Sequence, residues 1–330
     1  MNPFASRRIA AGILLATLQT LIPLVSASAA AATPSGPINV IVPFTPGGGT
    51  DTLARVIAKG LDQGLKTNVI VENKAGAGTI IGSEYVAHSR PDGNTLLLTT
   101  SAHAINASLV KHLPYSVDKS FAPVAMIASA PMVVVVRPDD NRFKTIRDIA
   151  EYAKANPGKL TYGSSGTGTA VHLAAELFKN IAKVDITHVP YRGASPAITD
   201  LIGGQTDMFF GTSGAVSTLV KAGKLRAVAV TTAERSPFWP GVPTIAEGGY
   251  PTYAAEVWYA VFAAANTPAP IIEQLNKTIN ETAQSQEFSK SMGSEGLTPK
   301  PITPEALRQY VSQEEIRWGK VIEEGHITRQ

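Results

Sequence analysis

Short apolar runs and longer stretches with a helical apolar period alternate along most of the chain. The runs at residues 38–42, 69–72 and 95–100 are typical of buried β-strands. Between them, residues 51–65 and 80–87 carry apolar side chains on one helical face. This alternating order predicts parallel strands with helices that cover the faces of the sheet.

A second series of elements follows a long apolar run within residues 126–137. The pattern predicts strands at residues 160–162, 185–189, 207–210 and 225–230, and helices at residues 145–155, 169–181, 195–202 and 215–222. The Pro- and Gly-rich residues 236–251 are predicted to form a long loop. A strand at residues 257–264 and helices at residues 268–287 and 304–324 complete the chain.

The series divides near residues 124 and 225, which predicts two α/β lobes, the second inserted into the first. Lobe 1 comprises residues 31–124 and 225–330, and lobe 2 comprises residues 125–224. The chain then crosses between the lobes twice, and the crossings are expected to act as a hinge. The predicted fold class is α/β, with a mostly parallel sheet flanked by helices in each lobe.

Residues 1–30 have the composition of a cleavable signal peptide. Arg7 and Arg8 form a basic start, residues 10–25 are mostly apolar, and residues 27–29 are small, as before a cleavage site. The apolar run is too short and too interrupted for a typical membrane span, although an uncleaved anchor stays an alternative. The chain contains no cysteine, which excludes a lipid-anchored form, disulfides and thiolate metal sites.

Removal of this signal brings the chain close to neutrality. The whole chain has 29 Lys and Arg and 26 Asp and Glu, and residues 1–32 contain only two basic residues, Arg7 and Arg8, and no acidic ones. The remainder has 27 basic and 26 acidic side chains, without a basic cluster of the kind that binds nucleic acid. An anionic ligand would have to be attracted by local fields rather than by net charge.

A glycine-rich turn at residues 44–51 joins the first predicted strand to the first helix. Such a turn presents unpaired backbone N–H groups at the positive end of a helix, where anions bind. It lacks the Lys of a phosphate-binding loop and the third glycine of a dinucleotide-binding turn, which argues against nucleotides. Thr50 or Asp51 can also cap the helix. The candidate ligand contacts are Phe44, Pro46, Gly47, Gly48, Gly49, Thr50 and Asp51.

A second turn of this kind, at residues 164–169, follows a predicted strand and adds hydroxyl groups. Two such turns suggest two sides of one site that closes on a carboxylate. The turn does not match the Gly-x-Ser-x-Gly motif of hydrolases, but a Ser–His–Asp set could still form from distant residues with His172 or His188. The candidate ligand contacts are Ser164, Ser165, Gly166, Thr167, Gly168 and Thr169.

Side chains near other strands extend the candidate site. Tyr191 could form a wall, and Arg192 could bind a carboxylate through two hydrogen bonds or be an ordinary surface arginine. Ser101 and His103 follow the strand at 95–100, at the end where α/β sheets bind ligands. Asp207 is a further candidate, with a structural hydrogen bond as the stronger alternative.

The six histidines are not spaced like metal ligands. Apart from His103, they are expected to be ordinary surface or helix residues. The sequence predicts no metal, no cofactor and no catalytic residue.

Motifs from the whole chain together resemble one family. They are Pro43-Phe44-Thr45-Pro46-Gly47-Gly48-Gly49-Thr50-Asp51, Val71-Glu72-Asn73-Lys74-Ala75-Gly76-Ala77-Gly78, Ser89-Arg90-Pro91-Asp92-Gly93-Asn94-Thr95-Leu96, Tyr162-Gly163-Ser164-Ser165-Gly166, Pro190-Tyr191-Arg192-Gly193, Pro243-Thr244, Glu247, Gly249 and Trp258. Together with the signal peptide, they make the chain similar to the substrate-binding proteins of tripartite tricarboxylate transporters, also called the Bordetella-uptake-gene type.

The resemblance implies a two-lobed periplasmic binding protein of the Venus-flytrap type. It implies that ligand carboxylates are held mainly by backbone N–H groups and ordered water at the two turns, and that the ligand is delivered to a membrane permease. Ligands in the family include di- and tricarboxylates, acidic amino acids, nicotinate-type compounds and aromatic acids. We therefore expect a monomeric, periplasmic solute-binding protein that is not an enzyme. An exported α/β serine hydrolase and a ligand sensor for a membrane receptor stay as alternatives.

Overall fold

The computed structural model describes residues 33–191 and 193–327; the predicted signal peptide, residues 1–30, and Arg192 lie outside this part. The first series of elements is β1 (Ile38–Val42), α1 (Gly49–Leu65), β2 (Val69–Asn73), α2 (Ile80–Ala87), β3 (Thr95–Thr100) and α3 (Ala102–Leu109). β1 pairs in parallel with β2 on one side and with β3 on the other. The parallel pairing that the alternating pattern predicts is therefore confirmed.

A long buried strand, β4 (Phe121–Val136), follows the first series, because its apolar side chains continue without interruption. The chain goes on with α4 (Ile146–Ala155), β5 (Thr161–Ser164), α5 (Ala170–Ala182), β6 (Thr187–Pro190), α6 (Ala194–Ile202), β7 (Met208–Thr212), α7 (Ser213–Lys221), β8 (Arg226–Val230), β9 (Glu256–Ala264), α8 (Ala269–Ala283), α9 (Gln286–Met292), β10 (Thr298–Pro299) and α10 (Pro304–Glu324). Among the helices of the described part, none combines the length and hydrophobicity that a membrane span requires.

β4 connects the two halves of the sheet. Its residues 121–131 pair antiparallel with β9, and its residues 132–136 pair antiparallel with β7. The strand order is β2-β1-β3-β9-β4-β7-β5-β6, and β5 pairs in parallel with β6 and β7. Each half thus has parallel outer strands, and the antiparallel strands β9 and β4 lie in the middle, flanked by helices.

The predicted helix at residues 268–287 is wrong as a single element. α8 ends at Ala283, and α9 begins at Gln286. Ser285 lies between them, and its hydroxyl accepts a hydrogen bond from the N–H of Phe288 at 3.1 Å. This serine caps a new helix, which explains the interruption. The short helix α3 was not predicted either.

The boundaries of lobe 1 and lobe 2 stay a prediction. β8 begins just beyond the predicted return crossing near residue 225, and it pairs with residues 133–136 of β4. β7 pairs with the same end of β4. This shared pairing favours a return crossing after β8 rather than before it.

The last helix, α10, is anchored to the middle of the sheet by a buried carboxylate. Glu314 accepts hydrogen bonds from the indole N–H groups of Trp258 at 3.1 Å and Trp318 at 2.9 Å. It also pairs with Arg317 at 3.2 Å, and Arg317 donates to the carbonyl of Ala254 at 3.0 Å. Because Trp258 lies in β9, Glu314 holds α10 against β9, the strand that pairs with β3.

Replacement of Glu314 should destabilise the fold. Glu314→Leu leaves two buried indole N–H groups without an acceptor and Arg317 without its carboxylate partner, so the free energy of unfolding should fall by about 3 kcal/mol or more. Glu314→Gln keeps an oxygen acceptor and should cost less. Urea unfolding measures both, with the exposed Gln313→Leu as control. Equal losses for Glu314→Leu and Gln313→Leu would show that the buried acceptor is not what holds α10.

Candidate functional site

Loops that follow three strands meet at one edge of the sheet, because β1, β2 and β3 run in parallel and end there. The first turn, residues 44–51, follows β1, while Asn73 ends β2 and Ser101 follows β3. The amide of Asn73 donates to the carbonyl of Phe44 at 3.1 Å and to Asp51 Oδ1 at 3.0 Å. Asn73 therefore ties the first turn to β2, a role that the sequence pattern did not reveal.

Asp51 shapes the first turn from inside. Its carboxylate accepts the N–H of Gly47 at 3.0 Å and pairs with Arg55 at 3.1 Å, and the residue is buried. The N–H of Gly47 holds the pKa of Asp51 below its usual value; Arg55 and Asn73 add to this effect, and burial opposes it. Gly47 has a φ of +84°, which favours glycine. The Asp51 carboxylate and the Gly47 N–H thus serve the turn itself.

The backbone after Gly47 is open. Thr52 is the first residue whose N–H bonds back along the chain, to the carbonyl of Gly48 at 3.0 Å. α1 has no side-chain N-cap, since Gly48 occupies that position. Pro46, Gly47 and Gly48 are exposed, and Phe44, Gly49 and Thr50 are half-buried. Within the described residues, no acceptor takes the N–H groups of Gly48, Gly49, Thr50 and Asp51.

The hydroxyl groups of the second turn, residues 164–169, stabilise the turn. Ser164 Oγ lies 2.6 Å from His188 Nε2 and accepts the N–H of Gly166 at 3.2 Å. Thr169 caps α5 by accepting the N–H of its third residue, and its hydroxyl donates to the carbonyl of Gly166 at 2.7 Å. Gly166 has a φ of +132°, which again favours glycine. Ser165 is half-buried and Thr167 is exposed.

Two histidines support the second turn. His172 Nδ1 accepts the N–H of Gly168 at 3.0 Å, and the rings of His172 and His188 stack with 4.0 Å between their centroids. Burial lowers the pKa of each to about 4; the positive charge of Lys179 adds to this for His172, and His172 adds to it for His188. Both rings are neutral at pH 7, as His172 must be to accept a hydrogen bond at Nδ1.

Glu176 anchors the other side of the histidine pair. It accepts a hydrogen bond from the Tyr162 hydroxyl at 2.5 Å and pairs with Lys179 at 2.7 Å. The ring of Tyr162 stacks on His188 with 4.9 Å between centroids. A buried polar network therefore extends from the second turn into α5.

The Ser164–His188 contact does not have the geometry of a hydrolase site. The side chain of Ser164 is fully buried, and its oxygen also accepts the N–H of Gly166. In the part of the chain that the structure describes, no carboxylate forms a hydrogen bond with His188. A buried, already bonded hydroxyl beside an unoriented imidazole cannot attack a substrate.

Tyr191 lies beside the second turn, as predicted, but its hydroxyl is engaged. Its N–H donates to the carbonyl of Ser164 at 3.1 Å, and its hydroxyl donates to Asp200 at 2.7 Å. Burial and Asp200 raise the pKa of Tyr191 to about 12. Tyr191 therefore offers a ring face rather than a free hydroxyl. The predicted role of Arg192 lies outside the described residues.

The other three candidates, Ser101, His103 and Asp207, lie away from the exposed residues of the two turns. Ser101 is fully buried, and its N–H donates to the carbonyl of Trp258 at 3.1 Å. His103 is also fully buried, among aromatic rings that include Phe121 and Phe262. This burial lowers the pKa of His103 to about 3. Neither side chain has surface that a ligand could reach in this conformation.

Asp207 lies at the start of β7, the edge opposite to the turns, because β5 and β7 are parallel. Its carboxylate accepts the N–H of Thr161 at 2.9 Å and pairs with Arg142 at 2.7 Å. The structure thus gives Asp207 the structural hydrogen bond that was the stronger alternative, and we remove Asp207 from the candidate site.

The sequence analysis predicted a helix at residues 215–222 but did not include its start in the candidate site. α7 follows β7, which is parallel to β5, so α7 begins beside the second turn. The carboxylate of Glu295 lies there against Gly214, and it also lies against Gly49 at the start of α1. A Cβ atom placed on Gly49 would be 3.1 Å from Glu295 Oε2. No local motif marks Glu295, because it is distant in sequence from both helices.

Known proteins are similar to this chain in sequence and in fold. A family model described as the tripartite tricarboxylate transporter family receptor matches residues 53–327. The periplasmic binding protein BugD is 32% identical, with a TM-score of 0.76 over 90% of this chain and 100% of that chain. R. palustris Rpa4515 with adipate is 34% identical, with a TM-score of 0.79 over 89% and 99% of the two chains. MatC from Rhodopseudomonas palustris with bound malate is 31% identical, with a TM-score of 0.75 over 88% and 99%.

Acid should weaken the fold around the second turn. An unfolded histidine binds a proton below about pH 6.5, whereas His172 and His188 bind one only below about 4. Between these values the unfolded chain binds more protons, so the free energy of unfolding should fall as the pH drops. The slope for each histidine should reach about 1.4 kcal/mol per pH unit. Urea unfolding over this pH range measures it.

His172→Asn tests the assignment, because the asparagine oxygen can accept near the position of Nδ1 but does not titrate. The free energy of unfolding of the variant should change less steeply with pH than that of the wild type, and the difference should equal the contribution of one histidine. The exposed His88→Asn is the control. A wild-type slope in His172→Asn would contradict the assignment.

Proposed function

Because the chain belongs to the tripartite tricarboxylate transporter family of receptors, we propose that it captures a small organic carboxylate between two lobes and delivers it to a membrane permease. The family consists of solute-binding proteins rather than enzymes. The ligand class is a di- or tricarboxylate or an aromatic acid. Adipate in Rpa4515 and malate in MatC support this class, since both are dicarboxylates.

N–H groups of the two turns that have no acceptor among the described residues carry this proposal. α1 begins in the first turn and α5 follows the second, so both place positive helix ends at carboxyl edges of the sheet. Neither turn contains a Lys or Arg residue. A carboxylate bound there would be held by backbone N–H groups and helix dipoles, which recognise the charge but little of the remaining ligand.

The hydrogen bonds within the turns reduce the number of backbone N–H groups that could bind a ligand. Gly47 N–H, Gly166 N–H and Gly168 N–H are already accepted by Asp51, Ser164 and His172. The proposed donors are the N–H groups of Gly48, Gly49 and Thr50 in the first turn, and those of Ser165 and Thr167 in the second.

A contact between Gly168 of the second turn and α3 supports the action of both turns on one ligand. Gly168 packs against Leu109 at the end of α3, so closely that a Cβ atom on Gly168 would overlap the leucine side chain. α3 begins at the edge of the sheet where the first turn lies. This contact supports a clamp in which the two turns approach a small ligand from opposite sides.

The cellular setting is part of the proposal. The signal-like residues 1–30 and the periplasmic binding protein BugD as a structural relative support export to the periplasm. A monomer suffices for this role, because both turns belong to one chain. The family description of a transporter receptor supports delivery to a permease.

Calorimetry against adipate, malate, citrate and benzoate should give binding to at least one carboxylate. Gly48→Val should weaken that binding at least about tenfold, since the side chain would block approach to the backbone. Gly48 has a φ of −82° and is exposed, so valine fits there without strain. The melting temperature should therefore stay near that of the wild type.

Gly203→Val is the matched control, at an exposed glycine with a φ of −74° at the far end of α6. Gly166→Val is a poorer test, because its φ of +132° would strain any side chain. Wild-type affinity in Gly48→Val would mean that the anion does not bind the first turn. Absence of binding across the whole panel would contradict the proposed function.

A further inference from the structure

Glu295 brings a carboxylate of the protein itself to the place where two helices begin. Its Oε2 atom lies against Gly49, the first residue of α1, and against Gly214, the second residue of α7. The carboxylate packs so closely on Gly214 that a Cβ atom there would overlap it. The side chain is half-buried.

Neither helix start has a capping hydrogen bond from the side chain of its N-cap residue, although Asp51 adds an acidic side chain to the first turn of α1. The N-cap of α1 is Gly48, and the side chain of Thr212, the N-cap of α7, makes no capping hydrogen bond. The first N–H groups of a helix and its dipole favour a negative charge. The Glu295 carboxylate lies beside both positive ends without accepting the Gly49 N–H, so its contribution is electrostatic, and no Lys or Arg of the described chain pairs with it.

The backbone around Glu295 holds it in place. Gly296 has a φ of +67°, and a Cβ atom there would be 3.0 Å from the side chain of Ser213. Ser213 is itself fixed, since its hydroxyl donates to the carbonyl of Pro131 at 3.1 Å and accepts from Trp239 Nε1 at 2.9 Å. The segment is thus packed against the start of α7, next to the middle of β4.

We propose that Glu295 is an internal competitor for the ligand, which sets how strongly the site binds negative charge. This inference rests on the proposed function, because the N–H group of Gly49 is one of the proposed ligand donors. An anion that binds at the first turn must displace the Glu295 carboxylate or share the start of α1 with it. A ligand with more carboxylates meets more repulsion from Glu295.

The proposal links two measurable quantities. The stabilisation that Glu295 gives to the unliganded protein is lost, in whole or in part, when a ligand takes its place. Removal of the charge must therefore lower the stability of the unliganded protein and raise its affinity for carboxylates together. A cap with a purely structural role would lower stability and leave affinity unchanged.

Glu295→Gln removes the charge and keeps the size of the side chain. Calorimetry with adipate should give binding that is roughly fivefold tighter than in the wild type, the range expected for an anion at a helix start. The gain should be smaller for hexanoate, which has the same chain length but one carboxylate fewer. Thermal unfolding without ligand should show a melting temperature about 2 °C lower.

The exposed Glu323→Gln in α10 is the matched control and should change neither quantity. Adipate binding that is unchanged or weaker in Glu295→Gln, with normal binding in the wild type, would overturn this inference and leave the proposed function intact. If neither protein bound any member of the carboxylate panel, both the proposed function and this inference would fail.

Discussion

The architecture depends on one constraint: the first N–H groups of a helix have no partners within it. Parallel pairing of β1 with β2 and β3, and of β5 with β6 and β7, puts the helices that follow these strands at shared edges. α1 and α7 begin there without a side-chain cap. The positive dipole ends of these helices create a local field that favours anions in a chain of nearly balanced charge.

Side chains at these edges mostly position the backbone. Asp51 accepts the Gly47 N–H, Ser164 accepts that of Gly166, and His172 accepts that of Gly168. Each bond fixes a turn, and neighbouring N–H groups have no acceptor among the described residues. This division explains why residues with typical ligand-binding chemistry, such as Asp51 and Ser164, are buried. It also explains why the proposed specificity rests on backbone geometry and on the charge of Glu295, which is distant in sequence from both turns.

Much of the fold could be predicted from sequence because its signals are local. Apolar runs and helical periodicity place β1, α1, β3 and α10 close to their observed bounds, and the glycine-rich turns mark two helix starts. The middle position of β9, antiparallel to both β3 and β4, has no local signal, because strand order depends on pairing between distant segments. The roles of His172 and Glu295 were missed for the same reason. Asp207 could have been placed correctly, since a residue that begins a strand lies opposite to the edge where its parallel neighbour ends.

Backbone amide NMR during titration with a bound carboxylate tests the central claim most directly. With adipate as ligand, the account predicts the largest shifts, and slower hydrogen exchange, at the amides of Gly48, Gly49 and Thr50 and of Ser165 and Thr167. The amides of Gly47 and Gly168, already bonded to Asp51 and His172, should respond less. Saturable binding with the largest responses elsewhere, and none in either turn, would contradict the account.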